Sequence, residues 1–289
     1  IFLFSVLISC SKSEDSLINP DGITDHEITS HSNNRVSSLL MTKSEYRDWV
    51  NNDEFRNSDK RKSLTNDLYK KYSDKYDFIF FILNEPSIPE NLSYYGMLVG
   101  VSNNIQGTGQ DIYDYSLDYG SNGKLKAVMQ LTGLEYLRNG PALHELAHNW
   151  ANFGINTHYI NGPGTGITSF NYKPHWGFTG GSSRGQLGGF DQSTLVDNGN
   201  NSYTVNSFGG FANGGNGIPF NELELYMMGM IPSSQVSEFD VFTEITSFSS
   251  GSNKFNFTAN SRKTYDAKVL ENLLGLSLIH ISEPTRQVL

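Results

Sequence analysis

The stretch that most constrains the fold is residues 141–154, P-A-L-H-E-L-A-H-N-W-A-N-F-G, which predicts a helix. His144 and His148 lie four residues apart, so on a helix their imidazoles lie one above the other on the same face. Two imidazoles in that arrangement can bind one metal ion, and Glu145 follows the first of them. Four apolar residues at helical spacing indicate that another face is buried: Leu143, Leu146, Ala147 and Trp150.

The flanking residues predict where this helix begins and ends. Asn139 or Gly140 can cap its start, Pro141 suits the first turn, and Gly154 suits the end. The alternative to a metal site is an amphipathic helix that carries two surface histidines with ordinary partners. The helical context favours metal binding.

Length and charge narrow the classes of protein. A chain of 289 residues can form one large domain or two subdomains with a sizeable core. Its net charge of -9 and the lack of a dense basic cluster argue against a nucleic-acid partner. Because there is one cysteine, the chain forms no internal disulfide, and we expect its core and its metal to stabilise it.

The first ten residues, I-F-L-F-S-V-L-I-S-C, are typical of the apolar core of a signal peptide and are too short to span a membrane. Leu7-Ile8-Ser9-Cys10 resembles a bacterial lipobox, which implies that Cys10 is the lipidated first residue of the mature protein. A buried or reactive free thiol is the alternative. We therefore predict a signal remnant at residues 1–10 and a flexible tether at residues 11–37. The expected location is the bacterial outer membrane or cell surface through a lipid anchor, or the secreted fraction.

The carboxyl-terminal residues resemble a sequence that does not come from a natural protein. Residues 276–286, L-S-L-I-H-I-S-E-P-T-R, resemble the translation of a transposase sequencing adapter. We therefore predict that residues 276–289 are a sequencing scar outside the fold. The natural protein is expected to continue past about residue 275.

Before the histidine helix, the sequence predicts helices and strands in turn. Residues 42–72 have helical spacing of their apolar side chains. Residues 76–83, Y-D-F-I-F-F-I-L, are continuously apolar and predict a central strand buried on both faces. Residues 94–101 predict a second strand. Residues 124–131 are less regularly apolar and predict an edge strand.

After the helix, residues 155–217 are dense in Gly, Asn and Ser, which predicts many loops. One hairpin is expected around D-N-G-N-N, with strands at residues 189–196 and 203–208. A short buried helix is expected at residues 221–230. Weaker strand patterns occupy residues 241–248 and 254–257.

Two histidines leave a catalytic zinc site one protein ligand short, because such sites generally hold three ligands and a water. His175 lies in K-P-H-W-G-F, where proline and tryptophan constrain the backbone. His158 follows His148 by ten residues and is close enough to fold back. Glu222 begins a later predicted helix. All three remain candidates, and His175 is favoured.

Three short motifs occur in order: H-E-L-A-H-N-W, H-W-G-F and L-E-L-Y-M-M-G-M-I-P. Together they resemble a group of mostly uncharacterised secreted bacterial zincins, over residues 141–234. Typical members read His-Glu-x-Gly-His-x-Trp, His-Trp and Leu-Tyr-Leu-Met-Gly-Leu-Ile-Pro. Ala147 replaces the common glycine, a change that should not affect ligation. Ala151 and Gly154 occupy positions where the long metzincin motif has glycine and histidine, so that motif is absent.

The resemblance implies an α+β, zincin-like fold. Residues 38–154 would form an upper subdomain of mixed sheet and helices above the active-site helix. Residues 155–275 would form a loop-rich lower subdomain. In zincins the edge strand lies over the cleft and binds substrate as an additional strand, and residues 124–131 would be that strand here.

The resemblance also implies an activity. A zincin with this motif is a metallopeptidase whose cofactor is Zn²⁺, which would be bound here by His144, His148 and the favoured third candidate, His175. Glu145 would act as the general base on the zinc-bound water, and the substrate would be an extended extracellular polypeptide or glycoprotein. The donor to the oxyanion stays open among Tyr159, Tyr172 and Arg184.

Two other functions compete with an endopeptidase. One is a surface adhesion or glycan-binding lipoprotein in which zinc only stabilises the fold. A protein side chain in the fourth coordination position would favour it. The other is a metal-dependent hydrolase of a non-peptide amide. The sequence does not indicate an oligomeric state.

Overall fold

A computed structural model describes the backbone of residues 3–12 and both backbone and side chains of residues 26–31, 35–162, 166–206, 208–209 and 215–274. Two compact units divide the chain: Ile1–Asn104 with Ile112–Asn149, and Ile105–Asp111 with Trp150–Leu289. Each unit contains helices and strands, which confirms the α+β class. None of the described helices is long and apolar enough to cross a membrane. The predicted sequencing scar lies outside the described residues.

The first unit is built on a six-stranded sheet in the order β2-β3-β1-β4-β8-β5. The four inner strands are parallel, and the two outer strands, β2 and β5, are antiparallel to their neighbours. Strands β6 and β7 form a separate small ribbon. The eight strands are β1 (Leu3–Lys12), β2 (Glu27–His31), β3 (Val36–Thr42), β4 (Phe78–Leu83), β5 (Gly96–Gly100), β6 (Ser102–Asn103), β7 (Tyr113–Asp114) and β8 (Ala127–Leu131).

Two helices, α1 (Lys43–Asn51) and α2 (Ser58–Lys71), occupy the region predicted to be helical. A 3₁₀ turn at Glu54–Arg56 separates them. The side chain of Thr42 accepts the N–H of Glu45 to cap α1, and Asn57 caps α2. Their apolar faces share one core with the sheet, and its buried members include Trp49, Leu64, Leu68, Phe81 and Val128. A third helix, α3 (Ala142–Ala147), carries the histidines.

The central-strand prediction is confirmed, because all six residues of β4 are buried and β4 pairs with β1 and β8. The edge-strand prediction for residues 124–131 is wrong. Strand β8 is buried throughout and lies between β4 and β5, so β5 is the edge. The polar Gln130 weakened the apolar pattern of β8. Its side chain is buried and satisfied, since it accepts from Trp49 Nε1 and donates to Tyr94 Oη, both at 2.7 Å.

The amino-terminal predictions need one correction. Part of the predicted tether, residues 11–37, is strand β2, which pairs antiparallel with β3, so the folded unit begins upstream of residue 38. Strand β1 lies between β3 and β4. An apolar stretch of this length suits a buried parallel strand and the core of a leader equally. Processing at Cys10 therefore stays a prediction, and a mature chain that began there would lack most of β1.

The second unit contains a four-stranded antiparallel sheet in the order β13-β14-β16-β15. Two smaller pairs, β9 with β10 and β11 with β12, accompany it. Helices α4 (Glu222–Met227) and α5 (Ala267–Leu274) belong to the same unit. Its strands are β9 (His158–Asn161), β10 (Thr168–Asn171), β11 (Gly180–Gly181), β12 (Phe190–Asp191), β13 (Val196–Gly199), β14 (Ser202–Asn206), β15 (Phe239–Gly251) and β16 (Lys254–Tyr265).

A hairpin forms from β13 and β14 at the predicted D-N-G-N-N turn, but the first strand is displaced: β13 shares only Val196 with the predicted residues 189–196. Asn200 and Asn201 both adopt left-handed backbone angles in its turn, which suits a tight hairpin. The longest described hairpin, β15 with β16, is predicted only in part, because residues 258–265 of β16 are mostly polar and weakly buried. The hydrophobic core of the second unit is rich in aromatic rings, among them Phe178, Phe190, Tyr203, Phe242 and Phe257.

A buried histidine, His26, connects the start of β2 to helices α1 and α2. His26 Nδ1 lies 2.6 Å from the carboxylate of Asp67 on α2, and Nε2 lies 2.8 Å from that of Glu45 on α1. Burial alone would lower the pKa of His26, but the hydrogen bonds to the two carboxylates outweigh it and raise the pKa to about 9. The imidazolium is therefore the form that stabilises this contact.

We expect the free energy of unfolding to fall as pH rises from 6.5 to 9. A group whose pKa is raised on folding stabilises the folded state fully below its unfolded pKa, about 6.5 for His26. This stabilisation, here on the order of 3 kcal/mol, is lost as pH rises through the folded pKa of about 9. Urea unfolding at a series of pH values measures it. His26→Gln should remove this fall, whereas His31→Gln, an exposed histidine of β2, should keep it. Equal pH dependence in both variants would contradict the role of His26.

Candidate metal centre

Helix α3 is shorter than the predicted 141–154, but the turn continues past its end. Pro141 occupies the cap position, and His148 and Asn149 donate to the carbonyls three residues earlier, each at 3.2 Å. The helix then stops because the side chain of Asn152 bonds locally. It accepts the N–H of Ile155 at 2.9 Å and donates to the C=O of the same residue at 2.8 Å.

His144 and His148 meet on one side of this turn, as the four-residue spacing predicts. Their Nε2 atoms lie 3.0 Å apart, and the rings are edge to face with centroids 4.6 Å apart. Two Zn–N bonds of about 2.05 Å at the tetrahedral angle place the nitrogens about 3.3 Å apart. The two imidazoles therefore fit a shared metal ion.

His175 is the third member of this cluster. One nitrogen from each of His144, His148 and His175 lies within 4.8 Å of the others. The three histidines are close enough to bind one metal ion. Imidazole ligands suit zinc, copper, iron and nickel, so the donor set alone does not select the ion.

The other two candidates for the third ligand have other partners. His158 Nδ1 lies 2.7 Å from Ser169 Oγ, across the pair formed by β9 and β10. Glu222 accepts from the backbone N–H of Ser237 at 2.7 Å and from its hydroxyl at 3.2 Å. Neither belongs to the histidine cluster in the described part of the chain.

The main chain at His175 is fixed on both sides. Its N–H donates to the C=O of Tyr172 at 2.8 Å, and its C=O accepts from the hydroxyl of Thr157 at 2.8 Å. The ring of Tyr172 lies 4.9 Å from the imidazole, centroid to centroid. A backbone held in this way limits the directions in which the imidazole can point.

Glu145 is 9% exposed and lies against strand β5. A Cβ added at Gly96 would lie 2.8 Å from Glu145 Cγ and 3.2 Å from Oε1, so only glycine allows this approach. Burial raises the pKa of Glu145 to about 7, against a smaller opposing effect of the backbone N–H of Leu98. A carboxylate with a pKa near neutrality suits a general base. In the sequence, only Gly96 within the predicted strand at residues 94–101 indicated that Glu145 could approach the backbone there.

The outer side of β5 is an unpaired edge among the described strands. Tyr95 C=O accepts from Thr132 N–H at 3.0 Å, and Val101 N–H donates to Lys126 C=O at 2.7 Å, so odd-numbered residues pair with β8. Backbone groups alternate along an antiparallel strand. The N–H and C=O groups of the three even-numbered residues, Gly96, Leu98 and Gly100, therefore point to the outer side.

The three residues considered as oxyanion donors have different surroundings. Tyr172 lies beside His175, and Tyr159 stacks on Tyr172 with ring centroids 4.5 Å apart. Arg184 is exposed and lines a cavity with Phe208 and Phe255. The geometry thus places the ring of Tyr172 beside a predicted ligand.

No protein-family description, curated protein or solved structure matches this chain. The chemistry of the site is therefore inferred from its own residues.

We expect the protein to bind one zinc ion per chain and His175→Ala to weaken binding. Losing a ligand should raise the zinc dissociation constant by more than the roughly 100-fold that loss of a ligand's supporting partner costs. Competition with a chromophoric chelator measures it. His158→Ala is the matched control and should bind zinc like the wild type. Equal losses in the two variants would exclude His175 as the third ligand.

Proposed function

We propose that this protein is a zinc-dependent endopeptidase with a zincin-like fold, which cleaves extracellular polypeptides at the bacterial cell surface. The observation that carries the proposal is the cluster of His144, His148 and His175 on and near the helix that carries Glu145. Among the described residues this cluster offers three donors. Three protein ligands and an open fourth position are typical of catalytic zinc sites, whereas structural sites are closed.

A zinc ion held by His144, His148 and His175 would supply Lewis acidity, which lowers the pKa of water to near 7 and polarises a carbonyl. Glu145 accepts the proton of the attacking water on its carboxylate. The protonated acid then donates to the departing amine, which is otherwise a poor leaving group. The position of this carboxylate depends on Gly96, which leaves it room, and on the N–H of Leu98.

The position of β5 at the edge of the sheet supports the proposal that the substrate is a peptide. On this outer side the N–H of Leu98 already donates to Glu145. The C=O of Leu98 and the outer backbone groups of Gly96 and Gly100 can pair with an extended polypeptide as an additional strand. This edge lies beside Glu145, because Gly96 contacts that side chain. Such main-chain recognition favours a polypeptide or glycoprotein over a small non-peptide amide.

The topology supports the zincin-like part of the proposal. A mostly parallel sheet ends in an antiparallel edge strand, and the helix with both histidines packs against that strand. Zincins place an edge strand over the cleft in the same way. Export and lipidation at Cys10 rest on the amino-terminal sequence alone.

The competing function is a surface adhesion or glycan-binding lipoprotein with a structural zinc. It requires a fourth protein ligand, and the cluster contains three donors among the described residues. The endopeptidase therefore has the stronger support.

Glu145→Gln should abolish hydrolysis and leave zinc bound. Glutamine keeps the size of the side chain but cannot accept the proton, and general-base loss typically costs about 10²–10⁴-fold in kcat. Casein or gelatin cleavage measures activity, and elemental analysis measures zinc. Glu135→Gln, an exposed glutamate outside the site, should retain full activity. Zinc-loaded wild-type protein that cleaves no polypeptide would favour the competing function.

Gly96→Ala should lower kcat by about 10–100-fold without changing zinc affinity. The added methyl group meets Glu145 and displaces its carboxylate, and a displacement of about 1 Å can cost 10²-fold in rate. Gly251→Ala is the matched control, because its new Cβ at the end of β15 would meet nothing within 4 Å. Unchanged kcat in Gly96→Ala would show that the contact with β5 does not position Glu145.

A further inference from the structure

Glu224, on α4, is fully buried, and its carboxylate accepts four hydrogen bonds from uncharged N–H groups. Oε1 accepts from the indole Nε1 of Trp176 at 3.0 Å and from the backbone N–H of Leu187 at 2.7 Å. Oε2 accepts from the backbone N–H groups of Gln186 at 3.0 Å and Asn221 at 3.1 Å. Each carboxylate oxygen of Glu224 therefore accepts two hydrogen bonds.

Three of these donors belong to the segment that follows His175. Trp176 is the next residue, and its own N–H donates to the C=O of Leu187 at 3.0 Å, which closes the segment into a loop. Gly185 lies in this loop, and a Cβ there would overlap the carboxylate of Glu224. The loop backbone therefore approaches the carboxylate as closely as only glycine permits.

Stability alone is a weak reason for a carboxylate at this position. Burial raises the pKa of Glu224, and the four N–H donors oppose that rise. Replacing buried charged groups with apolar residues of similar volume is often neutral or stabilising. What four directed hydrogen bonds add is a fixed orientation of the chain segment that donates them.

We propose that Glu224 is a positioning residue for the metal centre, because it holds Trp176 and Leu187 and so fixes the main chain at His175. The contacts of Thr157 and Tyr172 hold the same residue from its other side. The imidazole direction is then set by both groups of contacts. This inference rests on metal binding by His175 within the proposed function, and it does not depend on peptidase chemistry.

Glu224→Gln in the full chain tests the proposal. Glutamine has the same size, but its NH₂ group faces the backbone N–H groups of two residues, Gln186 and Asn221, where donor meets donor. The zinc dissociation constant should rise about 10–100-fold, the cost typical of a lost supporting partner. The visible absorption spectrum of the Co²⁺-loaded protein should also change, because it reports ligand geometry. Far-UV circular dichroism should match the wild type.

Two further variants make the result specific. Asp240→Asn changes another buried carboxylate of the same unit, which accepts from Gln192, Arg262 and Thr264. Its zinc affinity should stay within about twofold of the wild type. Trp176→Phe removes one of the four donors together with part of a buried ring. It should weaken zinc binding by less than Glu224→Gln, so it tests the proposal even if Glu224→Gln does not fold.

Unchanged zinc affinity in Trp176→Phe and in any folded Glu224→Gln would overturn the proposal, as would an equal loss in Asp240→Asn. Weaker zinc binding in Glu224→Gln, with Asp240→Asn unaffected, supports it. If that pattern appears while the zinc-loaded wild type cleaves no polypeptide, the proposed function fails and the positioning role stands.

Discussion

The packing of α3 against strand β5 is the contact on which the candidate site depends. Glu145 lies against the backbone at Gly96, where a side chain would occupy its space. The same helical turn brings the Nε2 atoms of His144 and His148 to 3.0 Å from each other. One helical turn thus places a buried carboxylate and two imidazoles beside a sheet edge that is unpaired among the described strands. This combination is what peptide hydrolysis by a zinc site requires.

The third histidine is positioned by separate means. His175 lies in a loop, and loops gain fixed geometry only through contacts outside regular structure. Here backbone bonds to Tyr172 and Thr157 act on one side, and the loop around Glu224 acts on the other. Burying the carboxylate of Glu224 costs more free energy than the contacts of Tyr172 and Thr157, because none of its four hydrogen-bond donors is a cation.

Features with a short sequence period were predictable. The four-residue spacing of His144 and His148 and the continuous apolar run of β4 depend on local geometry, and the structure has both. His175 was favoured from its proline and tryptophan neighbours, and it does join the histidine cluster. These predictions needed no knowledge of distant contacts.

Features set by long-range contacts were not predictable. Gln130 made β8 look like an edge, because its partners Trp49 and Tyr94 are far away in sequence. The second half of β16, residues 258–265, was missed, since its mostly polar residues are held in the sheet by pairing with β15. Glu224 gave no sign of its role, because a glutamate in the first turn of a helix is usually exposed.

Anomalous-scattering crystallography at the zinc edge, on zinc-loaded protein, tests the central claim most directly. We predict one peak at about 2.0–2.1 Å from a nitrogen of each of His144, His148 and His175, with solvent in the fourth position beside Glu145. A peak coordinated by a fourth protein side chain, or no zinc bound by these three histidines, would contradict it.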